Sequence, residues 1–314
     1  MDDRLQFGAM VPQFGSDYQI CRETARTAEA LGYDSVWIAD HLFGIPGPGD
    51  DPFLECWTLL SAIAVETERV RVGTMTLCNG FRHPALLAKM AATLDVISNG
   101  RLELGIGSGW YEREFINYGY PFFKPSIRAQ QLDEAVQILK RMWTEPSVTF
   151  RGRHYNLIDA RNEPKPLQRP RPPVHIGGDG EKQILPLVAR EADWWSYWLS
   201  GSSADGLRHK LRVLERACTE IDRDFQTLRK SLIGPVMMAE TQQELDLMMA
   251  KAERTEAHFR LGTKLGLVGT PDNVIHRIEE YRQLGISLFI VIPFPFARPA
   301  FFELFAEKVI RQVR

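Results

Sequence analysis

The sequence has few cysteines, no long apolar runs and no large excess of charge of one sign. Each of these three features, if present, would have narrowed the possible functions at once. Its 314 residues include four cysteines. Cys21, Cys56, Cys78 and Cys218 are scattered along the chain without the spacing of metal ligands. We therefore expect reduced thiols, a cytoplasmic protein and no metal site.

Apolar segments are short throughout the sequence. No stretch approaches the ~20 apolar residues that a membrane span needs. The segment Met1–Leu5 has neither the basic nor the apolar region of a signal peptide, so we expect no secretion signal. Lysine and arginine number 38 against 40 acidic residues, a net charge of -2, which gives no reason to expect nucleic acid or an anionic membrane as a partner.

What the sequence does contain is an alternation of short β-branched or apolar runs with helical patterns of period near 3.6. This alternation is typical of βα units around a parallel sheet. Eight strands are predicted near residues 5–11, 35–39, 70–76, 102–106, 174–177, 194–198, 230–237 and 287–292. Eight such repeats predict an α/β fold, a TIM (β/α)8 barrel with insertions, as a single domain over residues 1–314.

Helix boundaries are marked by local signals. A helix is predicted from Asp17 to Leu31, with Gly32 as its left-handed stop. Another helix is predicted to begin at Pro84. Proline has no backbone N–H, and at the first position of a helix this group would have no partner within the helix. Three further stretches are predicted to be insertions, because a minimal barrel does not need them. They are a loop at 41–54, a hairpin and proline-rich connector at 144–173, and a candidate flap at 255–268.

In such a barrel the residues that follow each strand form the active site. Asp40-His41 ends the second predicted strand, and an imidazole beside a carboxylate can act as a general acid or base near neutral pH. The same dipeptide can instead be a helix or turn cap. Adjacent side chains on a strand point to opposite faces, so only one of the two needs to face the cavity.

Two glycine clusters also follow predicted strands. Gly105, Gly107 and Gly109 have no side chains to cover the backbone at the end of the fourth strand. Either a ligand approaches this backbone closely or neighbouring residues pack against it. Gly177-Gly178-Asp179 follows the fifth strand and precedes a helix predicted to start near Glu181. The unpaired N–H groups of such a helix start favour a phosphate, and two sites of this kind suggest a cofactor.

Several motifs together carry a resemblance to a known family. They are Asp40-His41, Arg82-His83-Pro84-Ala85, the run from Ser98 to Trp110, the connector Pro164–Pro170, and Gly177-Gly178. In this order they resemble the bacterial luciferase-like oxidoreductases over nearly the whole chain. The resemblance implies a TIM barrel, a flavin-type cofactor at the strand ends, redox chemistry on a small organic substrate, and a homodimer.

The resemblance also implies roles for particular residues. The Asp40-His41 pair is similar to the branch that uses the deazaflavin coenzyme F420, in which His41 would donate or accept a proton. Met75-Thr76 would form a cis peptide bulge behind the cofactor ring, and Asn79 is a further candidate contact. Other cofactor contacts are expected at Gly107, Ser108, Gly109, Gly177, Gly178 and Asp179.

Alternatives to this prediction keep the fold. One is an FMN-dependent monooxygenase that uses oxygen, and another is a non-catalytic flavin-binding protein. The apolar segment Leu42–Ile45 favours a flat or hydrophobic substrate over glucose 6-phosphate. In the sixth strand, Tyr197 and Trp198 are the aromatic residues that could reach a ligand.

Overall fold

The fold is a closed barrel of parallel strands surrounded by helices, a TIM barrel. The computed structural model describes residues 4–44, 51–199, 204–255, 266–294 and 299–314. Within these ranges the strands are β1 (Gln6–Met10), β2 (Ser35–Ile38), β3 (Arg71–Thr74), β4 (Leu77–Cys78), β5 (Leu102–Gly107), β6 (Val148–Arg151), β7 (Asn156–Ala160), β8 (Val174–Gly177), β9 (Trp194–Trp198), β10 (Arg229–Met238), β11 (Leu267–Gly269) and β12 (Leu288–Pro293).

The barrel closes through eight of these strands, in the order β1, β2, β3, β5, β8, β9, β10 and β12, with β12 pairing back to β1. All eight predicted strands are confirmed. The predicted hairpin is also confirmed as β6 and β7, which pair antiparallel within the predicted stretch 144–173. The short strand β11, which pairs parallel with the last residues of β10, was not predicted.

Helices follow most of the barrel strands. They are α1 (Tyr18–Ala30), α2 (Cys56–Glu66), α3 (Pro84–Ile97), α4 (Glu112–Asn117), α5 (Pro125–Thr144), α6 (Ile184–Glu191), α7 (Ala204–Thr219), α8 (Gln242–Thr255), α9 (Pro271–Gln283), α10 (Pro299–Phe305) and α11 (Arg311–Val313). None of these helices combines the length and the apolar content that crossing a bilayer would require.

Local capping explains where the first helix begins and ends. The Asp17 side chain accepts a hydrogen bond from the Ile20 N–H at 2.9 Å, and Gly32 has φ +82° just after Leu31. Helix α6 begins at Ile184, three residues later than the predicted start near Glu181, because a turn occupies residues 181–183. Of the predicted flap, residues 256–265 lie outside the described residues, as do residues 45–50 of the predicted loop.

The barrel interior holds a charged layer near the start of the strands. Glu103 accepts a hydrogen bond from His175 Nε2 at 2.7 Å and another from Arg71. His175 is fully buried and stacks on Trp194, with ring centroids 5.1 Å apart. Burial alone would raise the pKa of Glu103, but the hydrogen bond from His175 and the charge of Arg71 outweigh it and lower that pKa.

Candidate functional site

The site lies at the barrel mouth, meaning the end where the barrel strands have their carboxyl termini. Asp40, two residues beyond β2, has a buried side chain whose oxygens are all engaged. Its Oδ2 accepts hydrogen bonds from the Cys78 N–H and from Arg82 Nη1, both at 2.8 Å, and its Oδ1 accepts one from Arg82 Nη2 at 3.0 Å. Asp40 therefore fixes the backbone after β3 to the loop after β2.

Arg82 links Asp40 to a second carboxylate. Its guanidinium also pairs with Glu55, whose side chain caps α2 by accepting hydrogen bonds from Trp57 N–H and Thr58 N–H. Burial alone would lower the pKa of Arg82, but the two carboxylates outweigh burial, and the pKa is raised above its ordinary value. These hydrogen bonds match the alternative in which Asp40 caps a turn more closely than a role of Asp40 as a general acid or base. Its catalytic role stays a prediction.

His41 has a different environment from its neighbour. Its side chain is 20% exposed, and Nδ1 lies 2.9 Å from Oε2 of Glu114, a side chain that is only 2% exposed. The other oxygen of Glu114 accepts a hydrogen bond from the Leu42 N–H at 2.5 Å. We assign the proton of the neutral imidazole to Nδ1, because a carboxylate is an acceptor, and this leaves Nε2 as the nitrogen that can exchange a proton with a bound molecule.

Glu114 is one of the residues that the sequence reasoning missed. It lies on α4, 73 positions after His41. The only available signal was an acidic residue in a short helix directly after a barrel strand. The active sites of barrel enzymes lie at this end of the strands. With Glu114 in place, the site contains a carboxylate–imidazole pair in which each group has a defined partner.

The peptide bond between Met75 and Thr76 is cis, as predicted. Three glycines lie around Thr76 and the adjoining strand β3. A Cβ atom would lie 2.0 Å from the Thr74 carbonyl oxygen at Gly105, 3.0 Å from Thr76 Oγ1 at Gly107, and 2.9 Å from Thr76 Cγ2 at Gly177. These glycines thus have a packing reason, because a side chain at any of them would meet Thr74 or Thr76.

Gly109 also has a packing reason, because its φ is +77° and a Cβ there would lie 2.6 Å from Cys78 Sγ. Next to it, Ser108 and Asn79 line a cavity of about 250 Å³ together with Arg128 and other residues. Asn79 donates from Nδ2 to the Tyr155 hydroxyl at 3.2 Å. The β6–β7 hairpin insertion therefore reaches this cavity through Tyr155.

Two of the residues that line this cavity each have a buried polar atom without a partner among the described residues: Asn79 Oδ1 and Arg128 Nε. Arg128 lies over the Phe122 ring, 4.1 Å from its centroid, and burial lowers the pKa of its guanidinium. Buried polar groups are normally hydrogen-bonded, so an unpaired acceptor and an unpaired cationic donor together suit a polar, anionic ligand. Arg128 and Tyr155 were not anticipated from the sequence.

The second glycine cluster has a mixed character. Gly178 has φ +115°, and its carbonyl accepts a hydrogen bond from Trp195 Nε1 at 2.8 Å. Asp179 is about half exposed, and Lys210 lies 3.7 Å from its carboxylate and 2.8 Å from that of Glu181. These two carboxylates oppose an anion at the start of α6, so the phosphate site at Gly177, Gly178 and Asp179 stays a prediction.

Strand β9 separates its aromatic residues by face. Tyr197 is buried in the core between the barrel and its helices, so it does not reach the mouth. Trp198, the next residue, is 49% exposed at the end of the strand. Among the described ranges, no three histidine, cysteine or acidic side chains are grouped as a metal site would require.

Comparison with known proteins gives the context of this geometry. The family model described as luciferase-like monooxygenase matches residues 5–259. The chain is 25% identical over 306 residues to an FMNH2-dependent dimethylsulfone monooxygenase of Pseudomonas putida, covering 87% of this chain and 82% of that protein. It is 36% identical over 193 residues to an F420-dependent glucose-6-phosphate dehydrogenase of Amycolatopsis mediterranei (strain U-32), covering 60% and 54%.

A solved structure agrees over the full length. The F420-dependent secondary alcohol dehydrogenase in complex with an F420-acetone adduct superposes with a TM-score of 0.85 at 21% identity, covering 99% of each chain. At that identity the likeness concerns the fold. The family match over most of the chain, on a closed eight-stranded barrel, shows that this protein belongs to the luciferase-like monooxygenase family.

Proposed function

We propose that the protein is an oxidoreductase that transfers hydride between coenzyme F420 and a small organic substrate, with His41 as the acid or base. The observation that carries this proposal is the pair of His41 Nδ1 and Glu114 Oε2, 2.9 Å apart at the barrel mouth. Hydride transfer to or from a carbon that bears oxygen requires a matching proton transfer, and an oriented imidazole suits that task.

The residues around the mouth fit such a cofactor. Gly107 and Gly177 lie against Thr76 of the cis peptide bond, and a planar ring would pack on this part of the barrel mouth. The unpaired Asn79 Oδ1 and Arg128 Nε suit a hydroxylated chain that ends in phosphate. When bound, F420 would supply or accept the hydride.

The chain's own residues would orient the substrate and move the proton. In the oxidative direction Nε2 of His41 accepts the hydroxyl proton, and Glu114 stabilises the resulting imidazolium. In the reductive direction the imidazolium returns that proton. Asp40 and Arg82 would act by positioning, since their hydrogen bonds hold the loops after β2 and β3 in register.

A second candidate is an FMN-dependent monooxygenase. It is favoured by the likeness to the dimethylsulfone monooxygenase, which extends over 82% of that protein. In that case the same mouth would hold reduced FMN, and turnover would consume oxygen. A cytoplasmic location and a homodimer packed through the barrel helices remain proposals as well.

The decisive experiment is a titration of the purified protein with F420 and FMN in parallel, followed by fluorescence quenching. We expect micromolar or tighter binding of F420, and His41→Asn should keep that affinity while losing turnover. Preference for FMN together with oxygen consumption would support the second candidate. Binding of neither coenzyme would refute both.

A matched pair of ligands tests the phosphate site. FMN and riboflavin differ only in the phosphate group, so the ratio of their affinities reports its contribution. If Arg128 holds the phosphate, Arg128→Met should bring this ratio close to one, whereas Lys210→Met should leave it unchanged. The reverse result would favour the turn at Gly177–Asp179.

A further inference from the structure

His41 has two aromatic neighbours at the mouth. The Phe53 ring centroid lies 6.2 Å from that of the imidazole at an interplanar angle of 78°, and the Trp110 centroid lies 6.1 Å away at 84°. Phe53 is partly buried, and an isolated β-bridge to Phe14 holds its backbone. Trp110 is 67% exposed, so a molecule beside His41 can contact its indole ring.

Aromatic contacts continue outward from Trp110. Tyr111 lies 5.2 Å from Trp110, Phe43 lies 6.0 Å from Tyr111, and Tyr118 lies 6.5 Å from Phe43 in a stacked arrangement. We call Phe53, Trp110, Tyr111, Phe43 and Tyr118 the aromatic arc. Trp110 and Tyr118 are the exposed rings of the arc, and an exposed apolar surface beside an imidazole is typical of a ligand site.

The charged groups at the end of β2, where His41 lies, complement this apolar character. Glu114 pairs with the imidazole itself, whereas Asp40 and Glu55 share a single guanidinium, that of Arg82, in a network beside it. The network therefore carries an excess of negative charge. An anionic group beside His41 would be repelled by it, whereas an uncharged molecule would not.

We propose that the aromatic arc recognises the substrate and selects uncharged, planar, conjugated molecules that stack on the Trp110 indole. Stacking on an exposed aromatic face rewards planarity, and the distance of 6.1 Å between the two rings brings such a molecule within reach of His41. Trp110 is thus a specificity-determining residue. The selection of substrate class rests on the proposed function, but the binding itself does not require turnover.

Three probes of one skeleton test this selection by calorimetric titration. They are 4-phenylbut-3-en-2-one, which is planar and neutral; 4-phenylbutan-2-one, which is neutral but flexible; and cinnamate, which is planar but anionic. We expect the planar ketone to bind most tightly, the saturated ketone several-fold more weakly, and cinnamate at least about tenfold more weakly.

Variants at Trp110 complete the test. Trp110→Ala should weaken binding of the planar ketone by about tenfold, and Trp110→Phe should stay within about threefold of the unchanged protein. The matched control is Ile158→Ala, which removes an apolar side chain that is 86% exposed on β7 and is not part of the arc. That control should not change the affinity.

The inference is overturned if cinnamate binds as tightly as the planar ketone, if Trp110→Ala leaves the ketone's affinity unchanged, or if the ketone does not bind at millimolar concentration. Failure of the proposed function looks different. A protein that binds neither F420 nor FMN, yet loses the ketone in Trp110→Ala, would refute the reaction and keep the recognition surface.

Discussion

Replacing Glu114 by glutamine changes the proton that His41 carries while keeping the shape of the side chain. Glu114 accepts one hydrogen bond from the Leu42 N–H and one from His41 Nδ1–H. A glutamine offers one oxygen and one NH2 group in the same places. If its oxygen stays on the Leu42 N–H, its NH2 group faces His41 Nδ1, and the imidazole must move its proton to Nε2 to accept that hydrogen bond.

The size of the effect follows from the lost interaction. The hydrogen bond between an imidazolium and a buried carboxylate is charge-assisted and contributes about 1.5–3 kcal/mol. At about 1.4 kcal/mol for each factor of ten, Glu114→Gln should lower turnover about 10- to 150-fold. The affinity for the coenzyme should change little, because Glu114 is only 2% exposed and its contacts are with the protein.

Two measurements check this reasoning. The first is nitrogen NMR of protein labelled at its seven histidines, with His41→Asn used to identify the His41 signals. The unchanged protein should show the Nδ1–H form and Glu114→Gln the Nε2–H form. The second is the rate at which 4-phenylbut-3-en-2-one oxidises reduced F420.

The matched control is Glu112→Gln, which removes a carboxylate from an exposed position on the same helix. It should leave both the His41 signals and the rate unchanged. An Nε2–H imidazole in the unchanged protein would refute the assigned tautomer. A rate for Glu114→Gln within twofold of the unchanged protein would refute the role of the pair in turnover.

Three further substitutions test the surrounding structure through urea unfolding. Arg82→Gln leaves the buried Asp40 carboxylate without its cation and should lower the free energy of unfolding by about 3–5 kcal/mol; the added change Asp40→Asn should recover most of this loss, and additive losses would contradict the pairing. Because the pKa of Glu103 is lowered from 4.5 in the folded state, its ionised form stabilises the protein above that pH, and this stabilisation disappears as pH falls through the lower folded value. The difference between Glu103→Gln and the unchanged protein should therefore be large at neutral pH and small in acid, and a constant difference would count against it. Gly177→Ala would bring a Cβ to 2.9 Å from Thr76 Cγ2 and should cost about 1–3 kcal/mol, while the added change Thr76→Ser should restore stability, with no restoration refuting the contact.

Local sequence signals accounted for most of the fold. The eight barrel strands follow from short apolar runs that alternate with helical periodicity, and each run lies within its own βα unit. The first helix has its Asp17 cap and its Gly32 stop where the sequence indicated. These features depend on residues a few positions apart, which is why they can be read without knowing the tertiary structure.

The role of each strand-end residue was not readable in the same way. The alternation of period two indicates that Tyr197 and Trp198 face opposite sides of β9, but it does not say which of them faces the mouth. In the structure Tyr197 is buried in the outer core and Trp198 is exposed. That choice depends on how the sheet curves and on which helices cover it.

By itself, then, the sequence determined the βα alternation, the barrel, the position of Asp40-His41 at a strand end and, through family resemblance, the cis bond between Met75 and Thr76. Only the tertiary structure decided that Asp40 pairs with Arg82 and that His41 pairs with Glu114, 73 positions away. The physical reason is barrel closure. It brings the ends of eight separate strands into one ring, so the partner of each side chain depends on loop paths and packing that no short-range pattern records.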